Sequence, residues 1–470
     1  MKLRIYIFLL VLIPGIQLFA RDSLLTLSEK QVKELVKKFH PVARQADINI
    51  GMAKADITIA KALFDPLFNT RIANKTFDGV EYYNYVTPEL SIPTWFGIEL
   101  KAGYENVGGN NIDPQETPGK TSFAGISIPL VKNLVMDKRR ATLQQSKIFR
   151  QLSEVERTRV VNDILLEAMD AYWNWVQQFQ IIQVIKNTVD VNEKRFELVR
   201  MAFRQGDRPA IDTVEALAQL QSFRYAQQEA ELNFLNAGLE LSVFLWKETG
   251  EPYTLPASVI PDNSWRIISI PELILPPMEE LMLIVRNRHP ELQQFDFKLD
   301  ALAVERKLKF QELLPTVNLQ YNQLGKGYDL VETVKAPWFE NNYQYGVSIG
   351  IPLRLSKGRG EYKKAKLKIA ETEINRVQKL LELETKVKAY YNELVTLKKQ
   401  VANLQQQYNN YQSLQKGEET RFLNGESSLF LVNSRENKTL EVLQKLATLE
   451  SKFFKTTNSL QWAAGILINQ

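Results

Sequence analysis

The chain carries one long unit twice, and that duplication limits what it can fold into. Pro41 and Pro66 recur as Pro290 and Pro315, an offset of 249 residues in both cases. Around them, Phe39-His40-Pro41 is matched by Arg288-His289-Pro290, and Leu63-Phe64-Asp65-Pro66 by Glu312-Leu313-Leu314-Pro315. Ile126-Ser127-Ile128-Pro129-Leu130 returns as Val347-Ser348-Ile349-Gly350-Ile351-Pro352-Leu353, and Ala171-Tyr172-Trp173-Asn174 as Ala389-Tyr390-Tyr391-Asn392. Phe203-Arg204-Gln205-Gly206-Asp207 is matched by Phe422-Leu423-Asn424-Gly425-Glu426. Each copy reads as helix, strands, a very long helix, a tight turn and a further long helix. Such a unit cannot bury its own surface, so it must pack against its copy and against other chains.

The long helices announce themselves by period. Leu380, Val387, Leu394, Val401 and Tyr408 lie seven apart, with Leu383, Tyr390, Leu397, Leu404 and Tyr411 three residues on. In the first copy Val161, Ala168, Trp175, Ile182, Val189, Phe196 and Phe203 keep the same spacing. A 3.5-residue hydrophobic period specifies left-handed supercoiled helices packed knobs into holes. The stretch from Met136 to Gln205, almost free of Gly and Pro, would extend about 100 Å as a helix. That is a span across a compartment, beyond what a globular domain requires.

The strands alternate. Tyr345, Val347, Ile349, Ile351 and Leu353 point one way, and Gly346, Ser348, Gly350 and Pro352 the other. Val317, Leu319 and Tyr321 alternate with Asn318, Gln320 and Asn322. One apolar face and one small or polar face suit a sheet between lipid and water, and equally a soluble half-buried sheet. Two further features favour the membrane. Residues 1–20 read as a signal peptide, with Lys2 and Arg4 before an apolar run from Ile5 to Ile13 and Ala20 at the cleavage position. No later stretch holds eighteen consecutive apolar residues, so a mature chain that spans a membrane does so with strands.

This reading divides the chain into a first repeat over 21–249, a Pro-rich linker over 250–277 and a second repeat over 278–470. Each repeat offers two core strands, with an additional hairpin between Tyr82 and Tyr104 left open. Four strands cannot close a barrel, and open edges are not tolerated in lipid, so chains must share one. Two chains give about eight strands, and three give about twelve with room for a lumen.

These landmarks resemble the TolC-like outer-membrane efflux proteins, the outer membrane factors, over nearly the whole chain after the signal segment. The most specific piece is the turn between paired helices. It reads Gly206-Asp207-Arg208-Pro209-Ala210-Ile211-Asp212-Thr213-Val214-Glu215-Ala216 in the first copy. In the second it reads Gly425-Glu426-Ser427-Ser428-Leu429-Phe430-Leu431-Val432-Asn433-Ser434-Arg435. The resemblance implies an α+β membrane protein in the outer membrane of a Gram-negative-type bacterium. It implies a homotrimer whose twelve-stranded transmembrane β-barrel, four strands per chain, continues as a long periplasmic coiled-coil barrel. The tunnel end would meet a periplasmic adaptor (a membrane fusion protein) and an inner-membrane pump. Such a complex serves tripartite efflux or type I secretion as a passive exit duct. A periplasmic adaptor, or a coiled-coil scaffold without a channel, is the alternative, although an adaptor normally carries one hairpin.

The resemblance also points to residues. Arg204, Gly206, Asn424, Gly425 and Glu426 would form the hairpin tips that dock the adaptor. Tyr345, Val347, Ile349, Ile351 and Leu353 would form the lipid face. Family members carry a carboxylate ring after the second turn, and here Leu431 and Ser434 stand at those positions. Asp212 and Glu215 in the first copy are three apart and share a helix face. They could set a cation preference at the periplasmic entrance, or simply suit a helix start, where acidic side chains favour the dipole. Tyr82, Tyr83, Tyr85, Trp95, Trp338 and Tyr343 flank strands, as an interfacial girdle or as packing residues. Lys138, Arg139, Arg140, Lys357, Arg359, Lys363 and Lys364 follow the last strand of each repeat, on a solvated helix face or at anionic headgroups.

Composition argues against other classes. The net charge is +5, from 59 basic and 54 acidic residues spread along the chain, so nothing resembles a nucleic-acid footprint. The sequence has no cysteine, which removes thiolate nucleophiles and thiolate metal sites. The two histidines both sit in the duplicated His-Pro landmark, where a structural role at a helix break is expected. No Gly-rich phosphate loop, HExxH or GxSxG occurs, so neither a catalytic site nor a cofactor is expected.

Overall fold

The computed structural model describes residues 26–267 and 269–469; the signal segment lies outside them. The chain runs β1 (Thr26–Leu27), α1 (Glu29–Phe39), α2 (Pro41–Ala62), β2 (Leu67–Phe77), β3 (Val80–Pro93), β4 (Glu99–Gly108), β5 (Gly119–Pro129), α3 (Lys138–Gln205) and α4 (Ala210–Ser242). It continues with β6 (Ile260–Pro261), α5 (Met278–Arg288), α6 (Pro290–Gln311), β7 (Thr316–Lys326), α7 (Leu330–Lys335), β8 (Tyr343–Gly350), α8 (Ser356–Leu423) and α9 (Leu429–Ala463). Corresponding helices match in length: α1 and α5 have 11 residues each, α2 and α6 have 22, and α3 and α8 have 68.

The His-Pro landmark explains itself locally. Proline disfavours the α region at the residue before it, so α1 and α5 stop there, and His40 and His289 are extended. Proline at the first helical position then starts α2 and α6, where its missing N–H costs nothing. The preceding imidazole caps the new helix: Nδ1 of His40 accepts from the Val42 N–H, and Nδ1 of His289 from the Glu291 N–H, both at 3.2 Å. The sequence expectation of a structural role at a helix break describes what both histidines do.

The two long helices run through the molecule, and shorter ones flank them end to end. Toward the sheet, α2, α3, α6 and α8 pack side by side; away from it, α4, α3, α9 and α8 do. The start of α2 meets the end of α4, where the His40 ring stacks on Phe244 and Arg44 donates to the Glu248 carbonyl at 2.6 Å. The start of α6 meets the end of α9 at Gly465, whose φ of +74° and 2.8 Å clearance to Pro290 leave no room for a Cβ. The main cores lie at these junctions. One gathers Leu165, Met169, Tyr172, Trp173 and Trp175 of α3 with α1 and α4, and another joins Leu383, Val387, Leu394 and Leu397 of α8 to α5 and α9. The Trp173 and Phe454 rings stack at 4.1 Å, tying α3 to α9. The proline-rich stretch between repeats also acts as a strap, because β6 pairs in parallel with β1.

The heptad ladders are core at mid-helix and surface at the far end. Val161, Ala168, Trp175, Ile182 and Val189 are buried, whereas Phe203 is 43% exposed.

The sheet corrects one expectation. The chain contributes six hydrogen-bonded strands, ordered β2-β3-β4-β5-β7-β8 and antiparallel throughout, in place of four. Residues 67–129 supply four and residues 316–350 two. The hairpin between Tyr82 and Tyr104 is real: β3 and β4 turn tightly at 94–98, where the Ile98 carbonyl accepts from the Thr94 N–H at 2.8 Å. Proline in a run demotes it as a strand, and Pro88 and Pro93 both fall in β3. Pro88 fits because it stands at the gap in the β3–β4 ladder between Val86 and Glu89. A second correction is smaller. β8 ends at Gly350, so Ile351 and Leu353 lie beyond the strand; Pro352, without an N–H, cannot extend the ladder.

Candidate functional site: the hairpin tips and the two faces of the sheet

Register and alternation assign the strand residues to faces. Paired residues share a side, so one face carries Phe68, Ile72, Val86, Leu90, Ile92, Leu100, Ala102, Ala124, Ile126, Ile128, Val317, Leu319, Tyr321, Tyr345, Val347 and Ile349. The loop-end part of this face is polar, with Asn74, Asn84, Asn106, Lys120, Ser122 and Gln323 on the same side. The opposite face carries the charged residues Arg71, Lys75, Glu89, Glu99, Lys101 and Glu105 with Asn69, Asn318, Gln320, Asn322 and Ser348, together with Tyr83 and the buried Tyr85, Val107 and Phe123. At the β8 edge the apolar side is bare in the single chain, with Tyr345, Val347 and Ile349 each more than half exposed, whereas Tyr321 on the neighbouring strand is buried.

Aromatic side chains mark both ends of this apolar band. At the helix end the Trp95 and Phe64 rings stack at 4.5 Å. At the loop end Tyr321 stacks on Trp338 at 5.0 Å, with Phe339 and Tyr343 alongside. The loop of residues 327–342 folds onto the apolar side. Phe339 N–H donates to the Tyr321 hydroxyl at 2.9 Å, and the hydroxyls of Ser122 and Thr333 lie 2.8 Å apart. Of the girdle candidates, Tyr83 and Tyr85 stack on each other at 4.9 Å on the polar side.

The helices end far from the sheet in two tight turns. Gly206 takes φ +84° at the end of α3 and Gly425 φ +79° after α8, the left-handed conformation glycine adopts without a Cβ penalty. Arg204, Asn424 and Glu426 are exposed beside them. A small core of Val199, Ala216, Phe422, Leu429 and Val432 joins the two hairpins. Arg208, which sequence reasoning passed over, bridges them: it donates to the Phe422 carbonyl at 2.8 Å and lies 4.0 Å over that ring.

The candidate carboxylates both have partners. Asp212 pairs with Arg208 at 3.7 Å, and Glu215 accepts from the Asn433 amide at 3.2 Å. Further up the stalk Arg195 of α3 binds Glu436 of α9 at 2.7 Å and Glu419 of α8 at 3.2 Å. Glu418, also buried, accepts from Ser427. Nothing in the periodicity singled these out, since a charged residue on a helix face reads as solvated.

Among the described residues no group of three or more His, Asp or Glu is placed to hold a metal ion, and no helix is long and apolar enough to cross a membrane.

Comparison with known proteins agrees with this geometry. Residues 283–465 match the family model of the outer membrane efflux protein. Among solved structures, the CmeC outer membrane channel of Campylobacter jejuni is similar at TM-score 0.61 and 16% identity, over 93% of this chain and 86% of that one. The outer membrane protein VceC of Vibrio cholerae is similar at 0.62 and 13%, over 93% and 96%. The MtrE outer membrane channel of Neisseria gonorrhoeae is similar at 0.63 and 13%, over 93% and 89%. No curated protein matches. The chain has the fold of the TolC-like outer-membrane channels, and its second half carries the outer membrane efflux protein signature.

Proposed function

We propose that the protein is the outer-membrane exit duct of a tripartite efflux or type I secretion system, a passive conduit without chemistry of its own. The observation that carries this is the union, in one chain, of a two-faced sheet and two 68-residue helices. About ten residues of tilted strand match the height of a bilayer's apolar core. The charged side of the sheet would face water, and the apolar side with its aromatic ends would face lipid. Three copies would close the sheet and arrange the helices as a periplasmic tunnel.

The tips would meet a periplasmic adaptor, which links the duct to an inner-membrane pump. Exposed apolar residues there support docking: Leu423 is 78% exposed and Phe430 67%, beside Arg204, Asn424 and Glu426. Asp212 and Glu215 would ring the entrance in three copies and favour cations, with Arg208 offsetting part of that charge.

Fractionation and electrophoresis test the core of this reading. The protein should appear in the outer membrane, migrate as an SDS-resistant trimer before heating, and conduct ions in a planar bilayer. Recovery as a soluble periplasmic monomer would overturn it. For docking, cross-linkers placed at Arg204, Asn424 or Glu426 should capture an adaptor; capture restricted to residues near the strands would reverse the orientation.

A further inference from the structure

We infer that the free sheet edges β2 and β8 of neighbouring copies pair with each other, so that the trimer closes eighteen strands around its pore. This rests on the trimeric-channel reading above and goes beyond it in strand number, wall composition and pore width.

Four observations lead there. Within the described residues β3, β4, β5 and β7 each have a strand on both sides, while β2 and β8 have one neighbour each. Open edges in a bilayer leave backbone groups unsatisfied at several kcal/mol apiece, so both must find a partner. The extra strands are built as wall. In the part nearer the helices β2 and β3 keep the sidedness of the other four, with Phe68, Ile72, Val86, Leu90 and Ile92 on the apolar side and Asn69, Arg71 and Glu89 on the charged side; toward the loop end Asn74 and Asn84 take over the apolar side, as Asn106 and Gln323 do on the other strands. A cap over the mouth or a plug in the lumen would have no use for that apolar row, in which Phe68 is 66% exposed and Ile72 73%.

The strand directions also fit. β2 leaves the helical end and β8 returns to it, so β8 of one copy lies antiparallel to β2 of the next, and the alternation continues unbroken around the ring. Finally, the widths agree. With strands ~4.8 Å apart and tilted ~40°, twelve strands give a backbone radius of about 12 Å and eighteen about 18 Å. Twelve helices in a ring at ~9 Å spacing give about 17 Å. Three copies of four side-by-side helices would therefore meet an eighteen-strand wall without a step.

The absence of native cysteine makes the edge contact directly testable. Gly346→Cys or Ser348→Cys in β8 would be combined with Asn69→Cys or Ala73→Cys in β2, and separately with Lys101→Cys in β4. All sit on the charged side, and a side chain at Gly346 meets open space. Oxidation of the full-length protein in outer membranes should give a covalent ladder ending at trimer for β8–β2 pairs and none for β8–β4. A trimer ladder from β8–β4 pairs would overturn the eighteen-strand wall and leave the channel reading standing. No cross-link from any β8–β2 pair in a protein that still migrates as an SDS-resistant trimer before heating would overturn the edge pairing, and a ladder ending at dimer would overturn the trimeric reading itself. A cryo-EM map of the unmodified protein counts the strands without substitutions: eighteen supports the inference, and fewer overturns it.

Discussion

Arg195 and Glu436 form an ion pair of 2.7 Å between the first and second helical hairpins, with the carboxylate almost wholly buried. Glu419 approaches the same guanidinium at 3.2 Å, so a single arginine holds α3, α8 and α9 together. Removing one member of a buried pair leaves an uncompensated charge, at a cost of about 3–5 kcal/mol. Arg195→Met should therefore accelerate limited proteolysis near the tips by orders of magnitude, and Arg195→Met with Glu436→Leu should recover most of the loss. Equal sensitivity of the single and double variants would assign the stability there to packing alone.

The second histidine gives a pH signature. Burial pushes the His289 imidazole down to about 4 from an ordinary 6.5, and burial lowers His40 as well. On acidification the unfolded chain takes up these protons first. Stability is complete above about pH 6.5 and falls as pH drops toward 4, by on the order of 2–3 kcal/mol for His289. Denaturation of His289→Asn, which keeps a capping side chain, should show a flatter pH dependence over that window than the parent. An unchanged slope would place the titration elsewhere.

The two faces of β8 make opposite predictions for neighbouring residues. Val347→Arg puts a charge on the apolar side and should cost about 2–4 kcal/mol near mid-bilayer, seen as loss of SDS-resistant trimer. Ser348→Arg, one residue on, lies on the charged side and should leave trimer yield near normal. The reverse outcome would invert the wall.

Single-channel recordings decide the role of the entrance carboxylates. Asp212→Ala with Glu215→Ala should lower cation preference several-fold if these residues ring the pore. Unaltered selectivity would leave them as Arg208's and Asn433's partners only.

How much of this was legible in the sequence depended on periodicity. The seven-residue ladders set the long helices to within a few residues, because Val161, Leu383 and their kin repeat over many turns. Turn glycines at 206 and 425 were equally plain. The extra hairpin was harder. Its apolar residues alternate, but Pro88 and Pro93 interrupt the run, and a proline reads as a break until a gap in the ladder accommodates it. The β1–β6 strap was invisible, since two residues have no period. At the tips, Arg208 and Arg195 resembled ordinary surface charges, and only the approach of a second hairpin distinguishes them.

The unequal halves have a consequence for what each end of a trimer presents. The helices come in matched pairs, so the stalk would repeat about every 60°, offering six near-equivalent grips to whatever encircles it. The strands come four and two, so the rim would repeat only about every 120°. A phage or antibody arriving from outside would find three footholds, while the machinery below would find six.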